Sequence, residues 1–209
     1  MSQQASLVQE LLKQLQGTPM QEMSQQLGVN TQQIQSAVGA AVPLLLGALG
    51  KNASQAQGAA DLFSALQRDH AQTMPQGLGD LGSLLGAVLG GAPQSAAGNG
   101  AAILGHIFGN SRQQAEVGLG QATGLGDKAG QLLSMLAPIV MAFLANRVQA
   151  GQMDASTLGR TLEQERAQAQ QQGGLAGGLL GSLLDQNGDG KLDMGDLFKL
   201  GSSFLSGRR

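Results

Sequence analysis

The chain has 209 residues, a formal net charge of −2 and only 12% charged residues, so it carries no electrostatic footprint for nucleic acid or an anionic membrane. Hydrophobic content is 42%, but aromatics are 2% and there is no Trp or Tyr; Ala, Leu, Val, Met and Gly must fill the interior, which suits closely packed helices. The lack of cysteine excludes disulfides and thiolate metal sites.

No convincing run of alternating β-branched residues occurs, so the reading is all-α. The opening MSQQASLVQELLKQLQG has neither the basic start nor the apolar centre of a signal peptide. No apolar run approaches the ~18 residues of a spanning helix. These features predict a cytoplasmic protein with no transmembrane segment.

Ala5 to Leu15 places Leu7, Val8, Leu11, Leu12 and Leu15 on one face of an amphipathic helix that ends at Gly17. Thr18 before Pro19 reads as a cap followed by proline at the first helical position, opening a short helix to Leu27. Gly28 ends it, and Asn30 with Gln33 has the spacing of a capping box. The next helix, to Leu49, carries Ile34, Val38, Ala41, Leu45 and Leu49 on one face and turns apolar all round after Ala40. A helix apolar on every side is a central one. Pro43 lies inside it and predicts a kink. A fourth helix, Ala53 to Asp69, presents Ala56, Ala60, Phe63 and Leu66.

This first helical repeat spans 1–70. From 71–100 the composition shifts to Gly, Ala, Ser, Pro and Leu, the mark of a linker. Gly82, Gly86 and Gly90 are four apart there, a small-residue pattern in a stretch too short to span a bilayer.

The second repeat, 101–172, follows the plan of the first. ILGHIFG (Ile103 to Gly109) stands to LLKQLQG (Leu11 to Gly17) as Gly124–Leu125 stands to Gly28–Val29. LLSMLAPIVMAFL matches AVGAAVPLLLGAL, with Pro138 on Pro43, and Leu158 and Leu162 match Leu62 and Leu66. Two kinked central helices lying against each other would make the core. The last helix of this repeat, Asp154 to Gln172, has Asp154 or Ser156 as its cap.

On SQQLGVNTQQIQSAVGAAVPLLLGAL, and on ILGHIFG followed by LLSMLAPIVMAFL, the chain resembles the bacterial DUF937 proteins, which include the YidB group; the resemblance covers roughly residues 5 to 170. It implies an all-helical fold with a homeodomain-like motif and no established biochemical activity. Residues 20–38 carry helix-turn-helix spacing: Met23, Leu27, Val29, Ile34 and Ala37 pack, Gly28 turns, and small Ser24 sits at the crossing. Thr31, Gln32, Gln33, Gln35 and Ser36 would be the exposed readers, and Gln can pair with adenine. Affinity for DNA rests largely on Lys and Arg at phosphates, and neither occurs between Lys13 and Lys51. No nucleic-acid binding is expected.

Catalysis finds no constellation. Around His70 and His106 there is no pattern of nucleophile, carboxylate and second ligand; no glycine cluster precedes Gly-Lys-Ser/Thr; Ser134 lies in a helix without flanking glycines. The chain reads as non-enzymatic.

The segment 173–209 holds the most specific motif, DQNGDGKLDMGD from Asp185 to Asp196. Calcium takes six to eight oxygens, which an EF-hand supplies from loop positions one, three, five, seven, nine and twelve. Those positions are Asp185, Asn187, Asp189, the carbonyl of Lys191, Asp193 directly or through water, and Asp196. Gly190 is at the sharp turn and Leu192 at the apolar eighth position. Leu179, Leu180, Leu183 and Leu184 before the loop, and Leu197, Phe198, Leu200 and Phe204 after it, predict two short helices. Asp196 stands where Glu is usual, and its shorter arm predicts weaker Ca²⁺ binding with more tolerance of Mg²⁺.

Three roles follow: a calcium-binding interaction or self-association scaffold with a homo-oligomer or protein partner on its helical faces, a DNA-binding regulator, and a purely structural homo-oligomer.

Overall fold

The computed structural model describes residues 6–54, 56–69 and 96–171. Among them every regular element is helical: α1 (Leu7–Leu15), α2 (Thr18–Leu27), α3 (Thr31–Ala53), α4 (Ala56–Asp69), α5 (Ala96–Phe108), a 3₁₀ turn (Gly109–Ser111), α6 (Arg112–Thr123), α7 (Lys128–Gln149) and α8 (Ala155–Gln171).

The two halves run through one succession of conformations. Gly17 (φ 90°) separates α1 from α2 and Gly109 (φ 53°) separates α5 from α6. The left-handed Gly28 (φ 60°) and Gly124 (φ 70°) then close α2 and α6. Each is followed by a long helix that runs unbroken through a proline, Pro43 in α3 and Pro138 in α7. A side chain in the left-handed region clashes with its own carbonyl, so glycine at 28 and 124 lets the chain reverse into the central helices.

Both central helices are buried on most sides. Leu44, Leu45 and Leu46 of α3 and Leu132, Leu133 and Leu136 of α7 are fully enclosed. α3 and α7 touch, but the broadest interface of α3 is with α8, and that of α7 is with α5. A glycine at the α3–α8 crossing permits that close contact. A Cβ on Gly50 would lie 2.6 Å from the carbonyl oxygen of Leu162 and 3.0 Å from its carbonyl carbon, so the α3 and α8 backbones approach as closely as glycine allows. Gly50→Ala is therefore expected to push the helices apart and cost about 1–3 kcal/mol despite alanine's better helix propensity. Urea denaturation checks this; an unchanged midpoint would mean the helices are not so close.

Several helix ends differ from the sequence reading. Gly17, rather than Thr18, is the cap of α2, and Thr18 and Pro19 are its first two residues. α3 extends to Ala53, so α4 starts at Ala56, and its inward face is Ala59 and Leu66 with Leu62 and Phe63 half-buried, while Ala60 is exposed. α5 begins at Ala96, inside the stretch read as linker.

By length and composition α3 and α7 could each cross a membrane, with 18-residue windows of mean hydropathy 1.4 and 1.5. The windows qualify because isolated Gln, Ser and Gly residues break an apolar run without lowering the average much. In this structure 72% of each window is buried against other helices, which is how the central helices of a bundle satisfy the same apolar surface.

Polar ties join the halves. Asn30 Oδ1 accepts from the Gln33 N–H at 2.7 Å, as a helix cap should, but the Gln33 side chain does not return to Asn30. It donates instead to the Gly124 carbonyl at 2.8 Å. In the reverse direction Lys128 Nζ donates to the Gly28 carbonyl at 3.3 Å. Carbonyls at a helix C-terminus lack intrahelical partners, so each half supplies a long side chain to the left-handed turn of the other.

Candidate functional site

The six loop residues proposed for calcium, Asp185, Asn187, Asp189, Lys191, Asp193 and Asp196, lie outside the described residues, as does His70. Among the described residues no group of three or more His, Asp or Glu side chains is placed to hold a metal ion.

The α2–turn–α3 positions pack as their spacing predicts. Met23, Leu27, Ile34 and Ala37 are buried and Val29 is half-buried. Ser24 Oγ donates to the Val29 carbonyl at 2.6 Å, joining the end of α2 to the turn. Thr31, Gln32, Gln35 and Ser36 are exposed. Gln33 is not available as a reader, because its amide is committed to Gly124.

His106 is exposed on α5, at the rim of a groove between α3, α4, α5 and α7 with a volume of about 420 Å³. Its walls are Leu49, Leu62, Ala65, Ile103, Ile107 and Met141, and Asn52, Asp61 and His106 supply its polar groups. The last turn of α5 leaves carbonyls unpaired, and Asn52 Nδ2 donates to those of Ile107 at 2.9 Å and His106 at 3.3 Å. Both amide hydrogens of Asn52 are thus engaged and its Oδ1 is left as an acceptor. Asp61 Oδ1 accepts from Gln57 Nε2, one turn earlier, at 3.1 Å. Periodicity alone could not find this groove, since its lining comes from four helices in both halves.

A second hollow, about 440 Å³, lies between α6 and α7 and is floored by Gly120, Gly126 and Gly130. Its carboxylates are Asp127 and Glu116, and Glu116 pairs with Arg112 at 2.6 Å. Val117 on its edge is 52% exposed, a large apolar side chain left open to solvent.

Two acidic residues serve structure. Asp154 caps α8, accepting from the Thr157 N–H at 2.7 Å and from Ser156 Oγ at 3.0 Å. The Thr157 N–H, followed by the Thr157 and Ser156 side chains, holds its carboxyl below the ordinary value. Glu165 of α8 is buried and reaches the start of α1, where it accepts from the Leu7 N–H at 2.6 Å and from Ser6 Oγ at 3.1 Å. Sequence reasoning missed Glu165 because its partners are 158 and 159 residues away along the chain.

Fold and site together define an all-helical bundle whose described residues hold an apolar groove and no group of three or more His, Asp or Glu placed to hold a metal ion. The profile described as a bacterial protein of unknown function (DUF937) matches residues 9–147, more than half of the chain, and the chain belongs to that family. No curated protein and no solved structure matches it.

Proposed function

We propose that this chain is a non-enzymatic bacterial scaffold that binds calcium through its C-terminal segment and engages a protein partner, or further copies of itself, through its helical faces. The observation that carries the reading is the order of oxygen donors in Asp185 to Asp196, with glycine at the sixth position and leucine at the eighth. An Asn/Gly/Asp-rich turn needs no such order. The YidB-like grouping, the homeodomain-like geometry of residues 20–38 and a cytoplasmic location belong to the same proposal. Dense packing of α3 and α7 supports a scaffold role, and the lack of Lys or Arg between Lys13 and Lys51 argues against DNA as the partner.

Titration of the intact protein with Ca²⁺ by calorimetry tests the site. Saturable heat is expected, weaker than at loops ending in Glu and with some competition from Mg²⁺. Calcium bound to the folded segment stabilises it by mass action, about 2.7 kcal/mol at a hundredfold excess over Kd. The paired substitutions Asp185→Ala and Asp189→Ala should abolish both the heat and the rise in melting temperature. No heat at millimolar calcium would remove the metal from the proposal. Light scattering with calcium and with chelator then reports whether self-association depends on the ion.

A further inference from the structure

We propose that the groove between α3, α4, α5 and α7 binds a small single-chain amphiphile with a cationic amine head. The site goes beyond the calcium reading and does not depend on it. A volume of about 420 Å³ is within the ~300–1,000 Å³ of small-molecule sites, which combine apolar walls with a few polar groups. The lining decides the ligand. The six wall residues are aliphatic or a thioether, and the one imidazole, His106, stands exposed at the rim, so the walls themselves offer no aromatic face to a ring or a quaternary cation. A flexible aliphatic body fits such walls, and it would cover Leu62 and Ile103, which are only half-buried.

The head follows from the rim. Asp61 is the acidic side chain of the lining, no Lys or Arg lines the groove, and His106 at the rim is its other titratable group. The hydrogen bond from Gln57 holds its carboxylate on α4. Asn52 has spent both amide hydrogens on α5 and offers an oxygen. A primary ammonium brings three donors and a positive charge to these two acceptors. A fatty-acid carboxylate would bring a like charge to Asp61 and no donor.

The test uses the full chain with isotope-labelled Ile and Met methyl groups. Dodecylamine, dodecanol and dodecanoate are titrated separately, each below its critical micelle concentration. Expected is a saturable shift of the Ile103, Ile107 and Met141 methyls with the amine. Asp61→Asn should weaken amine binding about tenfold, the scale of a charge-assisted hydrogen bond, and leave the alcohol unchanged. Ala65→Phe should fill the groove and remove both, with the circular dichroism spectrum retained; Ile103→Gln is the second blocking variant should that one fail to fold. Three results would overturn the proposal: no saturable shift at these methyls, as expected if residues 70–95 or a second copy occupy the groove; dodecanoate binding as tightly as the amine; or amine affinity unmoved by Asp61→Asn.

Discussion

Replacing Leu45 or Leu136 by alanine is expected to destabilise the protein by about 2–5 kcal/mol. Both side chains are fully enclosed, Leu45 in α3 and Leu136 in α7. Truncation removes the transfer free energy of the lost methyl groups and leaves a cavity that the neighbours fill only partly. Here the neighbours have little room to move, because both helices are hemmed in on most sides. α3 is further pinned against α8 at Gly50, so the Leu45 site is expected to collapse less than a peripheral one. Val117→Ala is the internal reference: that side chain is 52% exposed and should cost less than about 0.5 kcal/mol. Urea denaturation of the three variants gives the comparison. Losses below about 1 kcal/mol for both leucines would contradict the burial of the central helices.

The periodicity of Ile34, Val38, Ala41, Leu45 and Leu49 was sufficient to place α3 at the centre, since one helix face and its burial are local properties of spacing. The left-handed turns at Gly28 and Gly124 were legible for a similar reason: few other residues adopt that conformation. Pairing of helices was not legible. The sequence points to the two proline-bearing helices as mutual partners because they are the most apolar, yet α3 packs most broadly on α8, a Gln-rich helix with few apolar residues. What decides the pairing is how closely backbones can approach, and that depends on Gly50 meeting Leu162 across the fold. Gln33 shows the same limit on a smaller scale. Its spacing from Asn30 is that of a capping box, but a carbonyl from the other half competes for its amide and wins. The groove at Asp61 and His106 was illegible for want of any local motif. The calcium loop is the opposite case, with its whole chemistry within twelve consecutive residues.

Glu165→Ala is expected to cost about 2–4 kcal/mol and to free α1 before the rest of the bundle. Ser6 already caps α1 through the Gln9 N–H at 3.3 Å, but the first N–H groups of any helix lack intrahelical partners. Glu165 supplies one from α8, taking the Leu7 N–H at 2.6 Å, and also accepts from Ser6 Oγ at 3.1 Å. A carboxylate at a helix N-terminus is favoured by the helix dipole as well. Hydrogen bonds to a charged acceptor contribute about 1.5–3 kcal/mol each and are not additive, which sets the expected range. The other anchor of α1 is the ion pair between Glu10 and Arg147, whose guanidinium also lies 5.5 Å from the centroid of the Phe143 ring. Both anchors tie the first helix to the second half of the chain, so losing one should loosen α1 locally. Hydrogen exchange should therefore rise first at the amides of Leu7 to Leu15, while those of α3 and α7 stay protected to the level of global unfolding. Glu165→Gln keeps an acceptor of the same shape without the charge, and its cost should fall between wild type and alanine. Equal stability of all three proteins, or exchange that rises uniformly along the chain, would mean that Glu165 does not hold α1 in place.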